Sequence, residues 1–325
     1  MRVLVAGATG ALGRQITPRL LAVGHEVAGM TRTPAKLDAV RRLGATPVLA
    51  DALKAEQVAD AVARFEPEVI IHQLSELGKV DMRDFERSFA MTNRLRTEGL
   101  DHLLAAGRAV RVRRFIAQSY AGWPFARTGG PIKSEDDYLD PSPVSATRST
   151  LQAIRHVERA TLEADWLEGI VLRYGALYGP GTGLAVDGAQ LELIRQRKFP
   201  LIGSGAGIWS FVHVEDAAEA TVAAVERGEQ GIYNIVDDEP APVAEWLPEV
   251  ARRIGAKPPL RVPRWLGRLL GGEVAAVFMT EIRGASNAKA RRELSWVPSH
   301  SWRSSLVMDA AEAPRAMQAQ DMQAA

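Results

Sequence analysis

The chain predicts an α/β fold: a doubly wound parallel sheet with a smaller, mostly helical C-terminal lobe. Three observations carry this expectation. Short apolar runs alternate with amphipathic helical patterns up to about residue 175. The first run ends in three glycines at three-residue spacing, and a helical pattern follows at once. After Gly181 the regular alternation gives way to short helical stretches bounded by Pro and Gly.

Taken in order, residues 2–6 form the first strand, and Leu12, Ile16, Leu20 and Leu21 mark the first helix. Further strands are expected at 26–30, 46–50, 68–72, 114–117 and 169–172. The helical patterns between them fall at 58–65, 85–106 and 144–164, and a loop rich in Gly, Pro and charge fills 123–143. Beyond these lie a helix at 185–197, a short strand at 211–214, a helix at 215–226 and a further main-sheet strand at 232–236. Short helices are expected within 240–263 and at 265–270. The division is therefore 1–175 plus 211–239 for the sheet domain and 176–210 plus 240–305 for a second lobe. Residues 306–325, rich in Ala, Gln and Met, read as a flexible tail. A cleft between two lobes is a common place for a small ligand.

The glycines give the first indication of chemistry. Gly7 allows a tight turn off the strand, Gly10 lets backbone approach a diphosphate, and Gly13 lets the helix pack on its strand. Amides of the first helical turn then face a dinucleotide's phosphates, aided by the helix dipole. The second strand ends in Thr31-Arg32-Thr33-Pro34, with Lys36 close behind. An acidic residue at this point suits the ribose hydroxyl of NAD; a guanidinium suits the 2′-phosphate of NADP. Each charge-assisted bond is worth about 1.5–3 kcal/mol. The alternative is a pair of solvated surface cations. NADP is the expected cofactor, with NAD possible.

Composition excludes several classes. With 325 residues the chain can bury ample core, and a net charge of +1 argues against nucleic acid or a membrane surface as partner. There is no cysteine, which removes disulfides, thiolate metal sites and thiol nucleophiles and fits a reducing, cytoplasmic setting. The glycine turn begins at residue 7, so no signal peptide is expected, and no apolar run is long enough to span a bilayer. The six histidines show no zinc-site spacing, and the acidic runs 135–137 and 237–239 lack calcium-loop alternation; no metal is expected.

Seven ordered pieces resemble the extended short-chain dehydrogenase/reductases, a Rossmann family that includes nucleotide-sugar epimerases and dehydratases. They are Gly7-Ala8-Thr9-Gly10-Ala11-Leu12-Gly13, Asp51-Ala52, Asn93, Ser119, and Leu172-Arg173 leading to Tyr178-Gly179-Pro180. The last two are 211–216 (FVHVED) and 287–290 (NAKA) with 293–298 (ELSWVP). The resemblance implies that Thr9, Ala11 and Leu12 hold the diphosphate and that Asp51 and Ala52 meet the adenine. It implies that Gln73, Leu74 and Asn93 line the cofactor and that Tyr174 meets the nicotinamide. Ser119 would hydrogen-bond a substrate oxygen. A small-molecule substrate is implied, and a homodimer through the helices near 84–106 and 144–164.

One family feature is missing. The usual proton relay is Tyr-x-x-x-Lys, in which the ammonium lowers the phenol pKa from the same helix face. Residues four beyond the five tyrosines are Pro124, Ser142, Tyr178, Thr182 and Asp237. The tyrosine slot falls among Thr147, Arg148, Ser149 and Thr150, and the lysine slot among Leu151, Gln152, Ala153 and Ile154. Candidates to replace the pair are Tyr120, Arg148 and Lys133. His213 reads as a packing or hydrogen-bonding residue. Trp123, Tyr178 and Trp209 are candidates for an aromatic wall against substrate, with ordinary inter-lobe core as the competing reading. The expected activity is an NADP-dependent oxidoreductase acting on a small carbonyl or alcohol with a non-standard proton relay. The alternatives are an epimerase or dehydratase with retained nicotinamide, and a non-catalytic NADP sensor.

Overall fold

The computed structural model describes residues 1–77 and 80–306. Its sheet domain begins with β1 (Arg2–Ala6), α1 (Ala11–Ala22), β2 (Glu26–Thr31), α2 (Leu37–Arg42), β3 (Thr46–Leu49), α3 (Ala55–Phe65) and β4 (Val69–His72). It continues with α4 (Phe85–Arg94), α5 (Leu100–Ala109), β5 (Arg114–Tyr120), α6 (Arg148–Leu162) and β6 (Glu168–Tyr174). Then come β7 (Ala176–Tyr178), α7 (Ala189–Arg195), β8 (Phe211–His213), α8 (Val214–Glu226), β9 (Gly231–Ile235), α9 (Val243–Arg253) and α10 (Arg264–Thr280). Seven strands form one parallel sheet in the order β9-β6-β5-β4-β1-β2-β3.

Strand periodicity explains the two buried faces. Val3 and Val5 point to one side, where Ile16 and Leu20 of α1 and the alanines of α8 pack. Leu4 and Ala6 point to the other, against Val58 of α3 and Leu100 and Leu103 of α5. Burying each such large aliphatic side chain contributes about 1.5–3 kcal/mol, so the central strands read as continuous apolar runs. A separate cluster gathers Trp209, Phe211, Trp246, Phe278 and Trp302.

Several boundaries differ from expectation. The fifth strand runs on to Tyr120, so Ser119 and Tyr120 are paired residues opposite Arg173 and Tyr174 of β6. The helix expected at 85–106 is two α-helices joined by a π-helical turn, Leu95–Gly99. A 3-10 turn, Ser145–Thr147, precedes α6. The strand at 211–213 pairs with β7 outside the main sheet. In α10, Gly272 has φ +83 and kinks the helix. Of the expected tail, Leu306 is buried in the Trp246 cluster; the remainder, 307–325, lies outside the described residues.

Candidate functional site

The glycine turn leaves no room for side chains. Gly7 has φ +98, and a Cβ there would lie 2.6 Å from the Gln73 carbonyl oxygen. A Cβ on Gly13 would lie 2.2 Å from the Gly7 carbonyl oxygen. The helical ladder starts with Arg14 N–H donating to the Gly10 carbonyl. The amides of Ala11, Leu12 and Gly13 therefore precede it. No side chain caps α1, and its first turn holds no acidic residue. Such an end suits an anion. Thr9 is half-buried in the turn, and a Cβ added to Gly181 of the loop after β7 would lie 3.7 Å from the Ala11 Cβ.

Around this turn the other expected cofactor residues have definite partners. Arg32, just after β2, pairs with Glu76 at 2.5 Å. Lys36 is exposed at the end of a 3-10 turn. Asp51 does not cap α3; its carboxylate accepts from the Leu53 amide at 3.0 Å. Ala52 is buried, with its carbonyl 2.8 Å from the His102 Nδ1. Gln73 donates from Nε2 to the Tyr174 hydroxyl at 3.0 Å, while its buried Oε1 has no partner. Leu74 packs at the edge of the Leu100 cluster. Asn93 donates to Thr150 Oγ1 at 3.1 Å, and its Oδ1 is likewise unpartnered. Tyr174 corrects an expectation. It is a core residue between Gln73 and Thr221, and burial raises its phenol above the ordinary range. Vacant amides, glycines without space for a Cβ and a buried, unpartnered Gln73 oxygen together fit a dinucleotide.

The catalytic candidates are differently placed. Ser119 is buried, and its hydroxyl donates to Glu158 Oε1 at 2.7 Å. Glu158 in turn accepts two bonds of 2.7 Å from Arg173, a bidentate buried pair. Ser119 is thus held by an ion pair between α6 and β6 and is not presented as a donor to substrate. Tyr120 is half-buried, and desolvation pushes its phenol up to about 12. Arg148 is exposed at the start of α6. Lys133 is buried in a two-residue strand, Ile132–Lys133, paired with Gly284–Ala285, and is bonded to the Thr128 carbonyl and Asp137. The buried slot residues are Thr147 of the 3-10 turn and Thr150, Leu151, Ala153 and Ile154 of α6, among which there is no amine or phenol.

The aromatic wall does not form as a unit. Trp123 is half-buried against Phe85 and Phe278, with centroids 5.7 Å away in each case. Trp209 is enclosed by Trp246 at 5.2 Å, and its indole donates to the Phe278 carbonyl. Tyr178 is fully buried and donates to Asp237, whose carboxyl burial raises well above the usual range. Tyr178 and Trp209 are core; Trp123 alone of the three reaches the surface. His213 caps α8 through the Glu215 amide and stacks on His300 at 3.9 Å. Ligand atoms of His213, Glu215 and His300 lie within 4.8 Å of one another, but His300 is engaged with Asp216 at 3.1 Å.

Sequence reasoning missed Glu76, the Glu158–Arg173 pair and Arg96. The last is buried in the π-helical turn. Its one signal was position: Arg96 is four residues after Thr92 and four before Leu100, both inward-facing.

Comparison with known proteins identifies the family and the fold. Over 309 residues the chain is 45% identical to a 3-diazoavenalumate denitrifying reductase from a Streptomyces species, covering 94% of this chain and 99% of the relative. Among solved structures it resembles UDP-glucose 4-epimerase of Thermotoga maritima with UDP-glucose, at TM-score 0.78, 20% identity and 98% and 100% coverage. It also resembles UDP-glucose 4-epimerase of Thermus thermophilus in complex with NAD, at TM-score 0.73, 24% identity and 96% and 98% coverage. At these identities the structures speak for the fold. No helix among the described residues is long and apolar enough to cross a membrane. The sequence matches the NAD dependent epimerase/dehydratase family over residues 3–236. The chain is therefore an enzyme of the NAD dependent epimerase/dehydratase family.

Proposed function

We propose that this protein is an NADP-dependent reductase that removes the diazo group of an aromatic substrate as dinitrogen. The observation that carries this reading is the lack of a proton donor where the family keeps one. Thr150 and Ile154 line the inward face of α6, Ser119 is committed to Glu158, and Lys133 is committed to Asp137. A carbonyl reduction forms an alkoxide and needs an acid nearby. An aryl diazonium does not: ArN₂⁺ and hydride give ArH and N₂, with charge and atoms balanced. The 45% identical relative, named a denitrifying reductase, supports the same chemistry.

Bound reduced nicotinamide would supply the hydride. The chain's own part is to hold and orient. Ala11, Leu12 and Gly13 would bind the diphosphate, and Arg32 and Lys36 the 2′-phosphate. Gln73, fixed by Tyr174, would set the nicotinamide half. Trp123, at the edge of the second cluster, offers a face for an aromatic ring.

The test is NADPH absorbance with purified protein, an aryl diazo compound, and a panel of aldehydes and ketones. Turnover confined to the diazo compound, with dinitrogen in the headspace, is expected. Turnover of carbonyls alone would restore the second reading, a carbonyl reductase using Tyr120. Cofactor binding without turnover of any compound would favour a sensor.

A further inference from the structure

The long helix over the sheet holds a cation without a counter-ion. Arg96 lies in the π-helical turn between α4 and α5 and is 6% exposed. Its buried Nη1 has no hydrogen-bond partner, and no ion pair among the described residues involves it. The ionisable group it acts on is His72, whose imidazole burial holds down to about 4 and so keeps neutral. His72 uses Nε2 on the Leu95 carbonyl, and its Nδ1 is also unpartnered. Desolvation alone pulls the guanidinium down to about 10. An uncompensated buried charge is among the more expensive features a fold can retain.

The neighbours locate it. Thr92, one turn earlier, is bonded through Oγ1 to both the amide and the carbonyl of Glu76 in the loop after β4. Leu95 meets His72, the last residue of β4. At Gly99, one turn later, an added Cβ would lie 3.4 Å from Ala52 in the loop after β3. Arg96 is therefore at the carboxyl end of β4, the strand beside β1, where parallel sheets take their ligands. The nearest loop carboxylate, Glu76, is taken by Arg32, and no carboxylate among the described residues pairs with Arg96; the α1 amino end beyond β1 offers only partial charges for a doubly charged group.

We propose that Arg96 is the counter-cation of the cofactor's diphosphate, a buried guanidinium completed by the ligand and not by the protein. The proposal rests on the family's dinucleotide and is independent of the substrate reading. If it fails, diazo reduction is untouched; if diazo reduction fails, the diphosphate contact is still measurable.

The experiment is calorimetry and thermal melting of the full chain with ADP-ribose, which carries the diphosphate without the nicotinamide. Arg96→Leu is expected to bind ADP-ribose roughly 10- to 100-fold more weakly than wild type. It should melt, without ligand, no lower than wild type, because it loses an unpaired buried charge. Arg96→Lys should recover part of the affinity. Should Arg96→Leu not fold, Arg96→Lys is titrated with ADP-ribose and with adenosine, and a loss confined to ADP-ribose is expected. Wild-type ADP-ribose affinity in Arg96→Leu would overturn the proposal. So would an equal loss for adenosine in Arg96→Lys, or a lowered melting temperature with an unchanged ligand shift.

Discussion

Arg32 and Glu76 meet at 2.5 Å across the carboxyl end of β1. Arg32 follows β2 and Glu76 follows β4, and β1 lies between these two strands. The loop carrying Glu76 also touches the glycine turn, since a Cβ on Gly7 would strike the Gln73 carbonyl. Thr92 fixes the Glu76 backbone. A carboxylate thus occupies the guanidinium that a 2′-phosphate would need. Both side chains are about half exposed, so the pair contributes little to folding; its consequence is for cofactor choice.

Arg32→Ala is expected to weaken NADPH binding by roughly tenfold or more while changing NADH binding little. Glu76→Gln, which releases Arg32, should tighten NADPH by a few-fold. Calorimetry with both cofactors decides; equal losses for NADPH and NADH in Arg32→Ala would remove the phosphate role.

Ser119 is expected to behave as a structural residue. Ser119→Ala removes one bond to a buried carboxylate and should cost about 1–3 kcal/mol in urea unfolding. Its kcat/KM should stay within a few-fold of wild type. Glu158→Ala leaves Arg173 buried and unpaired and should cost about 3–5 kcal/mol. A collapse of turnover in Ser119→Ala at unchanged stability would return the hydroxyl to the chemistry.

Tyr120→Phe separates the two reductase readings. With its phenol pushed up to about 12 by burial, Tyr120 is a poor acid near neutral pH. Diazo reduction by Tyr120→Phe should remain within a few-fold of wild type, measured as NADPH consumption. A loss of two orders of magnitude would make the phenol a proton donor.

His72 gives a pH dependence with a definite sign. Burial lowers it from 6.5 to about 4, so the unfolded chain binds its proton first. Its contribution is fully present above pH 6.5 and is lost as pH falls from there towards 4, about 3 kcal/mol in all. His72→Gln should flatten that part of the stability profile in urea unfolding at pH 7 and pH 5. An unchanged profile would assign the acid sensitivity elsewhere.

Much of the fold was legible because its signals are local. The run 2–6, the glycines and the stripe Leu12, Ile16 and Leu20 lie within twenty residues. The partners of the site side chains were not legible, because they are distant in sequence. Ser119 and Glu158 are 39 residues apart, and Gln73 and Tyr174 are 101 apart. Trp209 and Tyr178 looked like ligand-facing aromatics, yet aromatic content does not tell a cleft wall from a core. Arg96 was hidden by its charge: the spacing Thr92, Arg96 and Leu100 places it on the inward face, but an arginine reads as a solvated residue until its burial is seen.

The most direct test follows deuterium from reduced cofactor labelled at the nicotinamide C4 into an aryl diazo substrate. The account predicts one dinitrogen released per NADPH consumed and the label on the ring carbon that bore nitrogen, from a single face of the cofactor. NADPH that binds but is consumed no faster than without protein would contradict it.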